Sequence, residues 1–508
     1  MRLGAAVTAV GRVFRNRPSD LLPFYVLGAA VATIGQVTAL AGVVLAYAYL
    51  AATGRTAALR EELTALEEPP DADADPAAFE AWMDDLLAAL EPALTPVIGT
   101  IFALTGIAFV TVVLVAYAAI GAGQLSACFA RLRDERGLEA GVAGTRRHWP
   151  TFLGLYLLEF LLWIGITVAA VVLGGLGATL LGFGAIGAVV GVLLVALSVL
   201  GWIAAAISIR AVFAFAPVGV VVDRVGAARS VSNAAGFVRH NRTEAVFYYV
   251  VALAALFGVG ALLSLLGGVG AGSATGLVFA LFVLPALDLL KTTLYGGGRG
   301  AIAPPAPVER SLRGQFVDGL RRGWRELVAF VRATPGHHAA AALALVAGAV
   351  MGWVFAGPFV GEFEASIAGR LEGHVAPVAA LEFFGNNWTV ALTMAFGGVV
   401  LAIPALGSLW FNGLVLGIYG RLEAEPAELL AFVTPHGIFE IPAIFVAGAV
   451  GIFLGLSWWR TWRGPATRAD LADDLERAFW VLVGVGILLA IAAVIEGFVS
   501  PYYWRPLL

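Results

Sequence analysis

Apolar runs recur along the whole chain, and a run of about 20 residues, wound as a helix, spans a hydrocarbon core about 30 Å thick. Eleven such runs are read: 22–50, 93–122, 151–175, 179–206, 243–268, 270–290, 338–358, 384–403, 405–420, 435–457 and 478–498. The pattern predicts an all-α, multi-pass helical membrane protein located in the cell membrane. The run 405–420 is short and Gly-rich, so 384–420 is read either as two spans or as a broken hairpin. With only 13% charged residues among 508 and a mean hydropathy of +0.89, the chain falls far below the roughly 25% of a soluble domain. A soluble enzyme is thereby excluded. A net charge of −4 without a broad basic face excludes nucleic acid as a partner. The single cysteine, Cys128, excludes an internal disulfide framework and a thiolate metal cluster. The first run is too long for a cleavable signal peptide and no A-x-A site follows closely, so it is read as a retained span.

Basic residues set the orientation. With the N-terminus inside and the spans alternating, inner segments hold 26 of the 31 Lys and Arg, and outer segments only Arg55, Arg60, Arg370, Arg421 and Arg505. This is a strong positive-inside signal, and it places the C-terminus outside. The outer segment 55–92 is acidic, with Glu61, Glu62, Glu67, Glu68, Asp71, Asp73, Asp75, Glu80, Asp84, Asp85 and Glu91. It reads as a solvated surface or as a cation-attracting vestibule. Within it, Phe79, Trp82, Met83, Leu86, Leu87 and Leu90 recur at three- and four-residue steps, which predicts an amphipathic helix on the membrane or on the bundle.

Gly and Pro in 296–310 (GGGRGAIAPPAPVER) mark a linker. It divides an N-terminal six-span domain, 1–295, from a five-span domain, 311–508. After it, Leu312, Phe316, Leu320, Trp324, Leu327 and Val331 form one stripe, with Arg313, Arg321, Arg322, Arg325 and Arg332 mostly off it. Such a helix is expected on the cytoplasmic leaflet, the alternative being a docking helix for a soluble partner.

Polar residues inside spans are costly and mark candidate sites. Those of the first half, chiefly Glu159 and Asp288, are expected to pair with nearby polar groups. Those of the second half concentrate as Asn386 and Asn387, Asn412, His436 with Glu440, and Glu496. Pro435 suits a first helical position with Thr434 as N-cap. His436 then falls in the first turn, and Glu440 lies one turn deeper on the same face, where it accepts a hydrogen bond from His436. Asn386, Asn387, His436, Glu440 and Glu496 converge on one layer near the outer face, with Asn412 closer to the middle. The favoured reading is a structural network that pins the helices together. The alternatives are a substrate or ion pathway, or a metal or hydrolytic site on His436, Glu440 and Glu496. The H-x-x-x-E spacing lacks the second His of H-E-x-x-H. No catalytic triad or P-loop is readable, and no catalytic, cofactor or metal residue is assigned.

The same residues carry a resemblance. Phe383, Asn386, Asn387 and Gly397, then Asn412 and Gly417, then Pro435-His436-Gly437 with Glu440, then Ala447-Gly448, and finally Glu496 and Pro501 resemble the stage II sporulation protein M (SpoIIM) family. The match spans about a third of the chain, from 338 to 501. In sporulating bacteria the family member anchors cell-wall hydrolases at the engulfing membrane. What the resemblance implies here is a five-span membrane module for anchoring or remodelling, with other membrane proteins as partners. More weakly, Phe213-Ala214-Phe215-Ala216-Pro217, Val221-Val222-Asp223 and Ala227-Ala228-Arg229-Ser230 resemble the membrane domains of glycerophosphodiesterase-type proteins and uncharacterised archaeal membrane proteins. That implies a helical membrane module and carries no catalytic residue across.

The topology is testable. Cysteines or reporters placed at 70 and 428 are expected to label from outside, and those at 140 and 315 only from inside; outside labelling at 315 would reverse the assignment.

Overall fold

The computed structural model describes residues 3–66, 70, 76–267, 272–361, 366, 367, 371 and 373–503. Glu67, Glu68, Asp71, Asp73, Asp75, Arg370 and Arg505 lie outside the described residues. The helices are α1 Leu3–Asn16, α2 Leu22–Ala52, α3 Arg55–Ala65, α4 Pro76–Ala89, α5 Pro96–Arg131, α6 Gly137–Leu180, α7 Gly184–Phe213, α8 Ala216–Val222, α9 Ala227–His240 and α10 Arg242–Gly267. They continue with α11 Ser273–Val278, α12 Leu284–Gly297, α13 Leu312–Ala333, α14 Pro335–Ala356, α15 Ala376–Gly397, α16 Ile403–Leu422, α17 Pro426–Arg463 and α18 Arg468–Phe498. A π turn, Phe279–Val283, joins α11 to α12.

Among the described residues ten helices are long and apolar enough to cross a membrane, one fewer than the sequence predicts. The missing one is 384–403. Its residues belong to α15, which starts at Ala376 and includes Glu382, Asn386 and Asn387, and these polar groups lower its hydropathy. The chain nevertheless turns back along α15. Gly348 and Gly352 of α14 face the main chain at Trp410 and Leu414 of α16, and Gly413 and Gly417 of α16 face Leu345 and Ala349 of α14. Both registers rise together, so α14 and α16 run parallel and α15 must return between them. A short turn, 398–402, links α15 to α16, with Leu401 and Ala402 in the left-handed region (φ 56° and 63°). The hairpin is therefore two helices. Most helices also outrun their apolar runs, because the windings continue in polar residues that a hydropathy reading does not count.

The chain divides into two compact units, residues 1–31 with 115–508, and residues 32–114. In the smaller unit Gly35 packs against Phe109 and Val113, Gly42 against Thr105, and Ala46, Leu50 and Ile98 share a core. On α4, Phe79, Trp82, Met83 and Leu86 are half-buried along one face, with Phe79 stacked on Trp82, whereas Leu87 points outward.

In the larger unit one buried cluster takes in Leu21, Phe24 and Tyr25, Cys128 and Leu138, then Leu327, Phe330, Ala447 and Val481. Residues 301–309 form no regular element, and the Ala303 N–H donates to the Leu132 carbonyl (2.8 Å). Helix α13 lays Gly323, Leu327 and Phe330 inward, with Gly323 against Gly484 of α18, while Leu312, Phe316 and Trp324 stay exposed. Glu159 pairs with Arg210, and Asp288 pairs with Lys291 (2.7 Å) and accepts from the Tyr25 hydroxyl (2.9 Å), so both find the polar partners expected of them. Asp223 accepts from Asn233 (2.8 Å) and Tyr295 (2.6 Å) and meets Arg299 at 3.0 Å, which gives it a structural role.

The parallel pair α14–α16 depends on four missing side chains. A Cβ on any of Gly348, Gly352, Gly413 or Gly417 would collide with a carbonyl of the facing helix. Gly352→Leu is expected to destabilise the purified protein in detergent by at least about 1–3 kcal/mol, read as a lower midpoint of thermal unfolding. Gly336→Ala, in the open first turn of the same helix, should leave the midpoint nearly unchanged.

Candidate functional site

Three antiparallel or parallel neighbours build the site. α15 and α17 run the same way, since Asn387 meets Glu440 and Gly398 meets Gly451. α18 runs against both, with Gly497 beside Ala376 and Ala380 and Ser500 beside His436. The site therefore sits where the middle of α15, the first third of α17 and the end of α18 come level. The arginine distribution assigns this end of the bundle to the outside.

The helix starts differ from those predicted. α17 begins at Pro426, so Thr434 is not an N-cap and Pro435 is not a first-turn residue. Thr434 instead donates its hydroxyl back to the Leu430 carbonyl (2.6 Å). A proline inside a helix deprives the carbonyl four residues earlier of its donor. Here that carbonyl is Ala431, and the Tyr503 hydroxyl donates to it from the turn after α18. Likewise α15 begins ten residues before Asn386, which places Asn386 and Asn387 in mid-helix rather than in a first turn. Both shifts are similar, so the residues still arrive at one level.

Asn387 donates from Nδ2 to Glu440 Oε1 (3.0 Å). Asn386 is exposed and reaches only its neighbour, donating to Asn387 Oδ1 (3.2 Å). His436 is 5% exposed, and its Nδ1 lies 3.0 Å from Ser500 Oγ. Its Nε2 stands 3.9 Å from Glu440 Oε2, which is too far for the expected hydrogen bond. Glu440 has turned to Asn387 and His436 to Ser500, so the two face each other without bonding. Glu496 completes the group. One ligand atom each from His436, Glu440 and Glu496 lie within 4.8 Å of one another, and Glu496 Oε2 is buried with no hydrogen-bond partner. Asn412 stands apart, donating to the Ser408 carbonyl of its own helix (2.7 Å).

The sequence reading missed several members of this end of the bundle. His374 meets the Gly497 carbonyl through Nε2 (2.8 Å) and lies edge-on to Tyr502. Trp388 donates Nε1–H to the Leu482 carbonyl (3.1 Å). Glu423, 6% exposed, accepts from the Ile367 N–H (3.1 Å). His374 and Glu423 fall in stretches too polar to be read as spans, and nothing in their spacing marks them.

Residues 341–501 match the model of the stage II sporulation protein M family. An uncharacterized protein of Methanocaldococcus jannaschii is 32% identical over 124 residues, covering 23% of this chain and 67% of the relative. This chain belongs to the SpoIIM family. No solved structure matches it. All six polar residues singled out in the sequence, and Ser500, fall inside the SpoIIM match, while Tyr503 lies just beyond it. In this SpoIIM chain the polar positions gather where α15, α17 and α18 meet, and Asn412 alone stays outside the group.

The Asn387–Glu440 bond can be separated from the carboxylate's charge. Glu440→Gln keeps an acceptor for Asn387, so the SpoIIM bundle should stay folded. Glu440→Leu strands the half-buried Asn387 amide and is expected to cost about 1–3 kcal/mol. Thermal unfolding of both variants in detergent checks this; equal stability of the two would show that the bond carries no weight.

Proposed function

We propose that this SpoIIM-type protein is a non-enzymatic scaffold of the cell membrane that organises or remodels the envelope, working with other membrane proteins. The observation that carries this is the isolation of Asn412. A transport path would join it to the outer polar group through further polar contacts, whereas the hydrogen bond its amide makes among the described residues runs to the Ser408 carbonyl of its own helix. The polar side chains of the outer group tie helices together instead: α15 to α17 through Asn387 and Glu440, and α17 to the turn after α18 through His436 with Ser500 and Tyr503 with Ala431. A bundle cross-braced in this way suits a rigid platform. In the same proposal the six N-terminal spans, 1–295, form a helical membrane module like that of glycerophosphodiesterase-type proteins, joined to the five-span module through 296–310.

Two measurements on the intact chain test it. Proteoliposomes holding the protein are expected to show no solute or ion flux above protein-free vesicles. Photo-crosslinkers placed in the acidic segment at Glu80 or Asp84 in native membranes are expected to capture a discrete membrane-protein partner. Flux abolished by both Asn412→Leu and Glu440→Leu would replace the scaffold with a transporter.

A further inference from the structure

We propose that His436, Glu440 and Glu496 hold one divalent transition-metal ion of the zinc type. The argument begins with unmet acceptors. Glu440 Oε1 is committed to Asn387, and its Oε2 faces His436 Nε2 at 3.9 Å with no hydrogen bond between them. Glu496 Oε2 is buried and has no donor. When His436 Nδ1–H donates to Ser500 Oγ, Nε2 presents a bare lone pair to the same space. Two carboxylate oxygens and an imidazole nitrogen then converge within 4.8 Å, and among the described residues no Lys or Arg pairs with either carboxylate. In a low-dielectric bundle such a group repels itself. A cation at the centre removes the conflict at all three atoms.

The donor set selects the ion. Calcium takes six to eight oxygens and magnesium keeps its waters, so both are poorly served by an imidazole and two carboxylates. One nitrogen and two oxygens on three protein ligands suit zinc, or manganese and iron of similar size, with one position left for water. The surroundings are those that metal ligands require. His436 is held through its other nitrogen by Ser500, and Glu440 is held through its other oxygen by Asn387; such outer partners fix tautomer and orientation. Ser500 and Asn387 are therefore positioning residues. The ion would clamp α17 to the end of α18, and the inference stands whether the protein is a scaffold or a transporter.

The full-length protein, purified in detergent and stripped with a chelator, is titrated with Zn²⁺, Mn²⁺ or Co²⁺, and metal content is measured by mass spectrometry beside the unfolding midpoint. The wild type is expected to retain about one Zn²⁺ per chain and to unfold at a higher temperature when loaded, as any ligand of the folded state requires. His436→Ala and Glu496→Gln should lose the ion and the thermal response together, and Asn387→Ala should weaken binding about 10–100-fold. Exposed Asn386→Ala should bind as the wild type does. Glu496→Gln removes one of the two facing carboxyl groups, so stripped Glu496→Gln should be at least as stable as stripped wild type, which keeps a lost ion distinct from a lost fold. No retained metal and no thermal response to any of the three ions would overturn the proposal. So would undiminished binding in the His436→Ala/Glu496→Gln double variant. Neither result touches the flux and crosslinking measurements, so the scaffold reading fails or survives separately.

Discussion

A hydrocarbon slab offers no water, and a chain that crosses one must find partners for its polar groups inside the protein. Much of the detail in the C-terminal bundle follows from that rule. Pro435 removes a donor from α17, and Tyr503 supplies one to the exposed Ala431 carbonyl. Asn412 turns onto its own helix, Trp388 reaches the Leu482 carbonyl, and His374 reaches Gly497. Against this background of paired groups, the Oε2 atoms of Glu423 and Glu496 are bare, and that of Glu496 stands beside two other ligand atoms. Its neighbours have partners that hold them in place and leave one atom of each aimed at the same point.

Close approach of the helices makes those pairings reachable. Lipid tails are as apolar as leucine, so helices in a bilayer associate through contact rather than through exclusion of water. The glycines of α14 and α16 let two backbones touch. Gly448 on α17 makes room for Leu409, and Gly451 and Gly455 let the turn at 398–402 and its flanking residues seat against the helix. The depth of that seating fixes how far α15 and α17 slide along each other, and with it whether Asn387 meets Glu440. The polar site is thus set by a packing decision made about two to three turns away along the helices.

Much of this was legible in the sequence. The apolar runs marked the helices, the separated motifs marked the family, and the shared level of Asn387, His436, Glu440 and Glu496 followed from span order. What failed were the beginnings of helices and the directions of side chains. The helix α17 continues through 426–434, which is largely apolar; a start at Pro435, read as a first helical position, falls too late. Pro435 fits a helix start and a helix interior equally well from the local sequence; the deciding partner, Tyr503, belongs to another part of the chain. His436 and Glu440 share a helix face as their spacing requires. Whether they bond to each other depends on Ser500 and Asn387, which compete for them across space. The run 384–403 was legible as a helix, and the parallel glycine contacts of its neighbours require one there; what the run hid is that α15 starts at Ala376.

The turn at 499–503 also has a meaning in time. Glu440 is synthesised 60 residues ahead of Ser500, an interval of roughly 3–12 s at ordinary translation rates. Through that interval Asn387 has already been made and can meet Glu440, but His436 has no Ser500 hydroxyl beside it and the Ala431 carbonyl has no Tyr503. The helix that contains Pro435 therefore enters the bilayer with an open seam, and only the segment following α18 closes it. Insertion of this bundle is consequently an ordered process whose last step is polar, so that a ribosome stalled between α17 and α18 would leave behind a helix hairpin with its hydrogen bonds unfinished.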